Sequence, residues 1–490
     1  MKILFAASEA VPFCKTGGLA DVAGSLPQAL AKAGNEVEVI VPLYQCVMDK
    51  WKEQLTFVCH IEVPLGWRRI YCGLFSLERE GVTWYFVDNE YYFKRAALYG
   101  HYDDGERFGF FSRAIVALLP SLAFMPEVIH CNDWQTALVP VYLKDECVRW
   151  SAVRSIKTVF TIHNIEYQGR YGKETLEDLF GLAPGWFADG TIAMDGDVNM
   201  LKGALMVCDA ITAVSPTYAQ ELRQPFFAHG LESVLQRNAG KLYGVLNGLD
   251  MARYDPTTDK GITANFGGAP VKSGKGAVQE DTITAGKAKN KEHLQQEMGL
   301  DVNPGVPVIG IISRLVSHKG LDLVCSVFDQ IMDLNCQFVV LGSGDWNYER
   351  FFEEKLGFYK GRMALYRGYN ESLAMDIYAG ADLLLMPSRS EPCGLAQMMA
   401  MRYATVPIVR ETGGLKDTVH PYEAWSGAGN GFTFAGYNSG DMLYVIRQAV
   451  DLYFNNPTAF KQLRKAGMAE DFSWGRSAEA YNEIYRKICS

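Results

Sequence analysis

KTGGLADV, residues 15–22, stands between a strand-like run, KILFAAS (2–8), and a helix-like run, ADVAGSLPQALAKAG (20–34). A buried strand, a bare glycine pair and then an amphipathic helix is how an open parallel α/β sheet begins. The helical run puts Val22, Leu26, Ala29, Leu30 and Ala33 on one face, and Gly34 suits its stop. The glycines let backbone N–H groups approach a ligand closely, the helix start adds a positive dipole, and Lys15 adds a full charge. Together these suit an anion, phosphate above all. The spacing is neither a Walker loop nor a dinucleotide fingerprint, and a tight turn beside a solvated lysine has the same sequence.

The same alternation runs along the chain. EVEVIVP (36–42), TWYFVD (83–88), EVIHCN (127–132), KTVFTIHN (157–164), AITAVS (210–215) and LYGVLNG (242–248) read as further strands of a first half. VPVIGIIS (306–313), QFVVLGSG (337–344), MALYRGY (363–369), ADLLLMPS (381–388) and TVPIVRE (405–411) read as strands of a second. Their near-continuous apolar character is that of strands buried on both faces. The expectation is two doubly wound parallel sheets, with ligands at the carboxyl ends of the strands in a cleft between the domains. Residues 259–290, glycine-rich and without period, read as a surface loop or linker, most exposed over 261–285.

Bulk properties bound the function. A net charge of −9 over 490 residues argues against nucleic acid as the main partner. Eleven cysteines without a Cys-x-x-Cys suit reduced thiols in a cytosol better than a disulfide frame. The sequence enters a strand at once, which reads as the lack of a signal or transit peptide. The longest apolar run, 114–129, is broken by Pro120 and Pro126 and reads as a core helix leading into a strand.

More chemistry collects at strand ends. Arg314 and Lys319 in IISRLVSHKG (311–320) can neutralise a diphosphate, or are two exposed basic residues. Glu391 in PSRSEPCGL (387–395) can bond sugar hydroxyls, or is a helix-start glutamate favoured by the dipole. RETGGLKDTV (410–419) brings a second Gly-Gly-Leu. Asp133, His163, Asn164 and Asn247 also end strands, where single polar residues commonly form turns. Asp195-Gly196-Asp197 has the look of an Asp-x-Asp metal motif but reads here as a helix start, and the cysteines lack ligand spacing.

In order, KTGGLADV, HCNDWQ, TIHNIEYQG, AVSPTYAQE, VLNGLD, SRLVSHKG, PSRSEPCGL and RETGGLKDTV resemble the motifs of bacterial glycogen synthases and plant starch synthases over nearly the whole chain. The resemblance implies the GT-B fold, two Rossmann-like domains: 1–253, joined by a crossing-back helix at about 473–490, and 254–472. It implies a retaining hexosyltransferase moving glucose from ADP-glucose to the non-reducing end of an α-1,4-glucan, without metal or cofactor. Lys15, Thr16, Gly17, Gly18 and Asp21 would meet the donor, and Arg314 and Lys319 its diphosphate. Glu391 would contact the glucose, with Cys393, Gly394 and Leu395 around it and Thr412, Gly413 and Gly414 beyond. His163 would lie beside the reacting sugar, with Tyr99, Asp133, Asn164 and Asn247 lining the site. Met399 stands where many related retaining transferases carry a second glutamate, which suits the glycogen synthase branch. The resemblance implies a cytosolic protein, bacterial or a mature plastid form, with no membrane or nucleic-acid partner. The alternatives are a UDP-glucose-dependent GT-B enzyme acting on a small acceptor and an inactive glucan-binding homologue.

Overall fold

The structure, a computed structural model, describes residues 1–267 and 282–490. The chain folds into two units, Met1–Gly248 with Trp474–Ser490, and Leu249–Ser473. The division falls at Gly248 rather than after residue 253.

The strands of the first unit are β1 (Lys2–Ala6), β2 (Glu36–Pro42), β3 (Thr56–Leu65), β4 (Arg68–Arg79), β5 (Val82–Asp88), β6 (Val128–Asn132), β7 (Lys157–Ile162), β8 (Arg170–Gly172), β9 (Ala193–Met194), β10 (Asp197–Asn199), β11 (Ala210–Ala213) and β12 (Leu242–Gly244). Nine of them form one sheet in the order β12-β11-β7-β6-β1-β2-β5-β4-β3. Pairing is parallel from β12 to β5 and antiparallel across β5, β4 and β3. The parallel strands are the continuous apolar runs of the sequence. The β3–β4 hairpin escaped that reading because Phe57, Val58 and Tyr71 are exposed along it, so it shows no unbroken apolar run.

The helix after the glycine pair runs Gly18–Lys32 and buries Val22, Leu26 and Leu30, while Gly34 takes φ +91° just past its end. The helix Trp474–Cys489 belongs to this unit too. Tyr481 and Tyr485 are buried against His130 of β6, and the Tyr485 hydroxyl lies 2.7 Å from His130 Nδ1. Burial pushes the His130 imidazole down to about 3, so it is neutral.

The second unit has one all-parallel sheet, β15-β14-β13-β16-β17-β18, from β13 (Val308–Ile312), β14 (Gln337–Gly342), β15 (Met363–Arg367), β16 (Leu383–Met386), β17 (Val406–Arg410) and β18 (Phe432–Phe434). Met399 packs into its core.

The loop reading of 259–290 is corrected where the structure describes it. Ile262 and Phe266 are core residues, and a helix begins at Thr282 and runs to Glu297. The rest of that stretch, 268–281, which holds most of the glycine-rich sequence, lies outside the described residues. The helix hid in the sequence because it buries polar residues. Lys287 is 3% exposed and donates to the carbonyls of Tyr378, Ala381 and Tyr403 and to Thr405 Oγ1 at 2.6–3.3 Å. Burial pushes its ammonium well below the usual lysine range. Asp195-Gly196 is likewise not a helix start: both take positive φ in the turn between β9 and β10, and Arg170 bridges Asp195 and Asp197 at 3.3 and 3.4 Å.

Candidate active site

Three groups of candidate residues gather at strand ends, two in the first unit and one in the second. The first is the loop from β1 to the helix at Gly18. Its organiser is Glu9, 2% exposed, whose Oε2 accepts from the Thr16 N–H at 2.6 Å and the Thr16 hydroxyl at 2.7 Å. Thr16 is therefore spent on holding the loop. Burial raises the Glu9 carboxyl above the ordinary range, against the hydrogen bonds from Thr16. Lys15 reaches Asp21 Oδ1 at 2.8 Å with 42% of its side chain exposed. Such an exposed pair is worth about 0–1 kcal/mol, so an arriving anion draws Lys15 away at little cost.

The glycines of this loop have no internal reason to be glycine. A Cβ on Gly18 would meet nothing within 4 Å, and one on Gly17 would touch Glu9 Oε1 at an ordinary 3.6 Å. Gly17 is extended, at φ −149°, and gives the helix no side-chain cap bond. The bare backbone at Gly18 faces open space at the start of a 15-residue helix. Tyr99 joins this group, its hydroxyl 2.8 Å from Ser8 Oγ.

The second group follows β6, which pairs with β1, and β7 next to it. Asp133 takes φ +55° and its Oδ1 accepts from the N–H groups of His163 at 2.7 Å and Asn164 at 3.4 Å. Burial pushes the Asp133 carboxyl up to about 7, with those N–H bonds opposing the rise. Burial also pushes His163 down to about 3. Asn132 fixes its tautomer. The Asn132 amide nitrogen donates to Ala6 O at 2.9 Å, so its Oδ1 accepts from His163 Nε2–H at 2.9 Å and Nδ1 is left as an acceptor. His163 is thus a neutral, oriented acceptor and not a stored acid. Asn247 stands apart: it is buried, and its Oδ1 has no hydrogen-bond partner among the described residues.

The third group lies at the ends of β13, β16 and β17 in the second unit. A cavity of about 220 Å³ is lined there by Arg314, Lys319, Ser388, Glu391, Gly394 and Leu395. Lys319 Nζ donates to both Glu391 oxygens, at 2.9 and 2.7 Å, and the Ser388 hydroxyl donates to Oε2 at 2.9 Å. Burial opposes the Glu391 charge, but the Lys319 ammonium and these bonds hold the carboxyl below its usual range. Arg314 is exposed. Lys319, expected as an exposed cation, is instead seated on Glu391 with only 19% of its side chain exposed.

The second Gly-Gly differs in kind from the first. A Cβ on Gly413 would fall 2.0 Å from Glu391 O, and one on Gly414 2.0 Å from Cys393 O. The Gly414 N–H donates to the carbonyls of Glu391 and Pro392 at 3.2 Å. Gly413 and Gly414, with buried Thr412 before them, shape the Glu391–Cys393 turn from behind. Leu395 opens a helix of only two turns, Ala396–Arg402, and Cys393 is buried. Glu9, Asn132 and Ser388 were missed in the sequence. The one available signal was position, since each sits beside a candidate motif.

Residues 2–237 match the family described as starch synthase catalytic domain, and residues 295–466 that described as glycosyl transferases group 1. The chain is 46% identical over 488 residues to a glycogen synthase of Bacillus cereus, covering 100% of both chains. It is 45% identical over 488 residues to that of Geobacillus stearothermophilus, covering 100% of this chain and 98% of the relative. Among solved structures, the catalytic domain of starch synthase IV from Arabidopsis thaliana, bound to ADP and acarbose, has a TM-score of 0.88 at 33% identity, covering 100% of this chain and 99% of that one. Sucrose-phosphate synthase from Thermosynechococcus elongatus, at 17% identity and a TM-score of 0.59 over 99% of this chain and 98% of its own, shares the fold.

Proposed function

The chain belongs to the glycogen and starch synthase family of GT-B hexosyltransferases, and on that premise we propose that it moves glucose from ADP-glucose to the non-reducing end of an α-1,4-glucan with retention of configuration. The observation that carries the reading is the Lys319–Glu391 pair beside Arg314 in the second-unit cavity. Breaking the donor's glycosidic bond builds negative charge on the departing diphosphate. A catalyst must hold that charge more tightly in the transition state than in the ground state. Arg314 and Lys319 supply two cations for it. Lys15 and the open backbone at Gly18 offer a further anion-binding group on the first unit.

Glu391 is held ionised and tied to Lys319, which suits it to accept bonds from glucose hydroxyls rather than to attack the anomeric carbon. Neutral His163 offers Nδ1 as an acceptor to a hydroxyl of the reacting sugar. Retention then follows from displacement on one face of the ring, with a leaving phosphate oxygen taking the proton of the acceptor hydroxyl. No step needs a metal or cofactor, so EDTA should leave turnover unchanged. The starch synthase relative bound to ADP and acarbose supports an adenine donor and an oligosaccharide acceptor. No described helix is long and apolar enough to cross a membrane, and a cytosolic setting fits a nucleotide-sugar donor. The reading is tested by incubating the enzyme with ADP-glucose and maltoheptaose. Chains longer by whole glucose units, all α-1,4-linked by NMR, are expected; no elongation, or a β-linkage, overturns it.

A further inference from the structure

We propose that Glu9 is a positioning residue for the sugar-nucleotide donor, and that its buried carboxyl takes up a proton as the donor's diphosphate reaches the loop it holds; the inference rests on the transferase reading above. That loop is tied from the inside. Ala10 O accepts from the N–H groups of Phe13 and Cys14 at 2.9 Å, and the Val11 N–H donates to Ala20 O at 3.0 Å. Neither tie reaches the segment that carries Lys15 and the glycines. Glu9 does, because the Thr16 N–H and hydroxyl both donate to its Oε2, at 2.6 and 2.7 Å. Its Oε1 lies 3.6 Å from where a Gly17 Cβ would stand. One carboxylate oxygen thus fixes the residue between Lys15 and the glycine pair, and Glu9 sets the direction in which the open Gly18 backbone faces.

The same carboxylate stands against an arriving anion. It is buried and makes no ion pair among the described residues. The titratable groups around it are the Cys14 thiol on its own loop, the hydroxyls of Tyr44 and Tyr99, and the Asp133 carboxyl. None of them is a cation. Lys15 is turned to Asp21 at 2.8 Å, and Arg107, beyond Tyr44, is paired with Asp104. Asp133 follows the end of β6, which pairs with β1, so two buried carboxyls share one corner of the sheet. Burial raises both of them, Asp133 to about 7. In the free enzyme the Thr16 bonds favour the ionised form of Glu9. A diphosphate on the Gly18 backbone adds negative charge where no buried cation offsets it, and so favours the neutral form. The proton passes from solvent to Oε1. Oε2, then a carbonyl oxygen, still accepts both bonds from Thr16, so the loop keeps its shape in either state.

ADP-glucose has no group that titrates near neutral pH, so any proton counted on binding belongs to the protein. Isothermal titration of ADP-glucose into the full-length enzyme without acceptor, near neutral pH in PIPES and again in imidazole, counts it. The two heats should differ by the uptake of about 0.5 proton, and affinity should rise about threefold for each unit fall in pH. Glu9→Gln is close to isosteric and keeps an acceptor oxygen for Thr16, but cannot titrate; its uptake should be less than about half that of the wild type. Glu9→Ala frees Thr16 and should lower kcat/KM for ADP-glucose by about 10²-fold, of which Glu9→Gln should recover at least about tenfold. Equal heats in the two buffers for the wild type, undiminished uptake in Glu9→Gln, or full activity in Glu9→Ala overturns the proposal. The buffer comparison stands whether or not the alanine variant folds. A wild-type enzyme that does not bind ADP-glucose at all would instead overturn the transferase reading, and this inference with it, so the two failures are distinguishable.

Discussion

Lys319 Nζ bonds both oxygens of the Glu391 carboxylate, at 2.9 and 2.7 Å, and the pair is largely withdrawn from solvent. Lys319→Ala should therefore do two things. Turnover should fall by about 10²-fold or more, the loss of one strong contact to developing negative charge. Stability should fall by about 3–5 kcal/mol, because a buried carboxylate loses its cation. Adding Glu391→Gln should recover part of the stability and none of the turnover. Arg314→Ala, at an exposed position, should match the kinetic loss with a stability change of no more than about 0.5 kcal/mol. Chemical denaturation and steady-state kinetics on the four proteins separate these outcomes. Normal turnover in either single variant would remove that residue from the charge-handling role.

The two glycine pairs should respond oppositely to alanine. Gly18→Ala adds a methyl into open space and should leave the protein as stable or more stable by about 0.4–1 kcal/mol. The methyl would hold a phosphate off the loop backbone, so turnover should fall by roughly 10²-fold. Gly414→Ala places its methyl 2.0 Å from Cys393 O and should cost about 1–3 kcal/mol or more. Melting curves beside kcat decide the matter. A Gly18→Ala enzyme with full activity would mean that the loop does not approach the donor.

Acid should act through His130. Its folded pKa is about 3, below an unfolded value of about 6.5. A base with a depressed folded pKa contributes stability that is complete above pH 6.5 and lost as pH falls toward 3. The slope is about 1.4 kcal/mol per pH unit. His130→Gln removes this term, so between pH 6 and 4 its stability should fall less steeply than that of the wild type by about that slope. Urea unfolding at several pH values measures the difference, and parallel curves would show that His130 is protonated in the folded state.

Lys287→Met keeps the aliphatic volume but strips the Tyr403 carbonyl and the Thr405 hydroxyl oxygen of their donor, while the Tyr378 and Ala381 carbonyls keep only the Thr405 hydroxyl. Each buried group left unpaired costs about 1–3 kcal/mol. With two such groups the expected loss is about 2–6 kcal/mol, read by thermal unfolding. An unchanged melting temperature would contradict the packed helix Thr282–Glu297.

What the sequence made legible followed from burial on both faces. The parallel strands show as unbroken apolar runs, and the charged residues after them mark the strand ends where the candidate groups lie. Three kinds of information were hidden. KTGGLADV and ETGGLKDTV read alike, yet Gly413 and Gly414 admit a neighbouring turn while Gly18 faces open space and Gly17 meets only Glu9 at an ordinary distance; only three-dimensional neighbours distinguish them. Glu9 organises its loop through Thr16, seven residues away in irregular chain where no period applies. The helix Thr282–Glu297 buries Lys287, Asn290, Lys291 and Gln295 with Leu294 as its one large apolar core residue, so its buried face has little apolar signature.

The central claim, glucose transfer from ADP-glucose to glucan, is tested most directly by incorporation of labelled glucose into glycogen from ADP-glucose and from UDP-glucose at equal concentration. Incorporation from ADP-glucose should be far faster, and unchanged by EDTA. Equal or faster incorporation from UDP-glucose, or activity abolished by EDTA and restored by a divalent cation, would contradict the account.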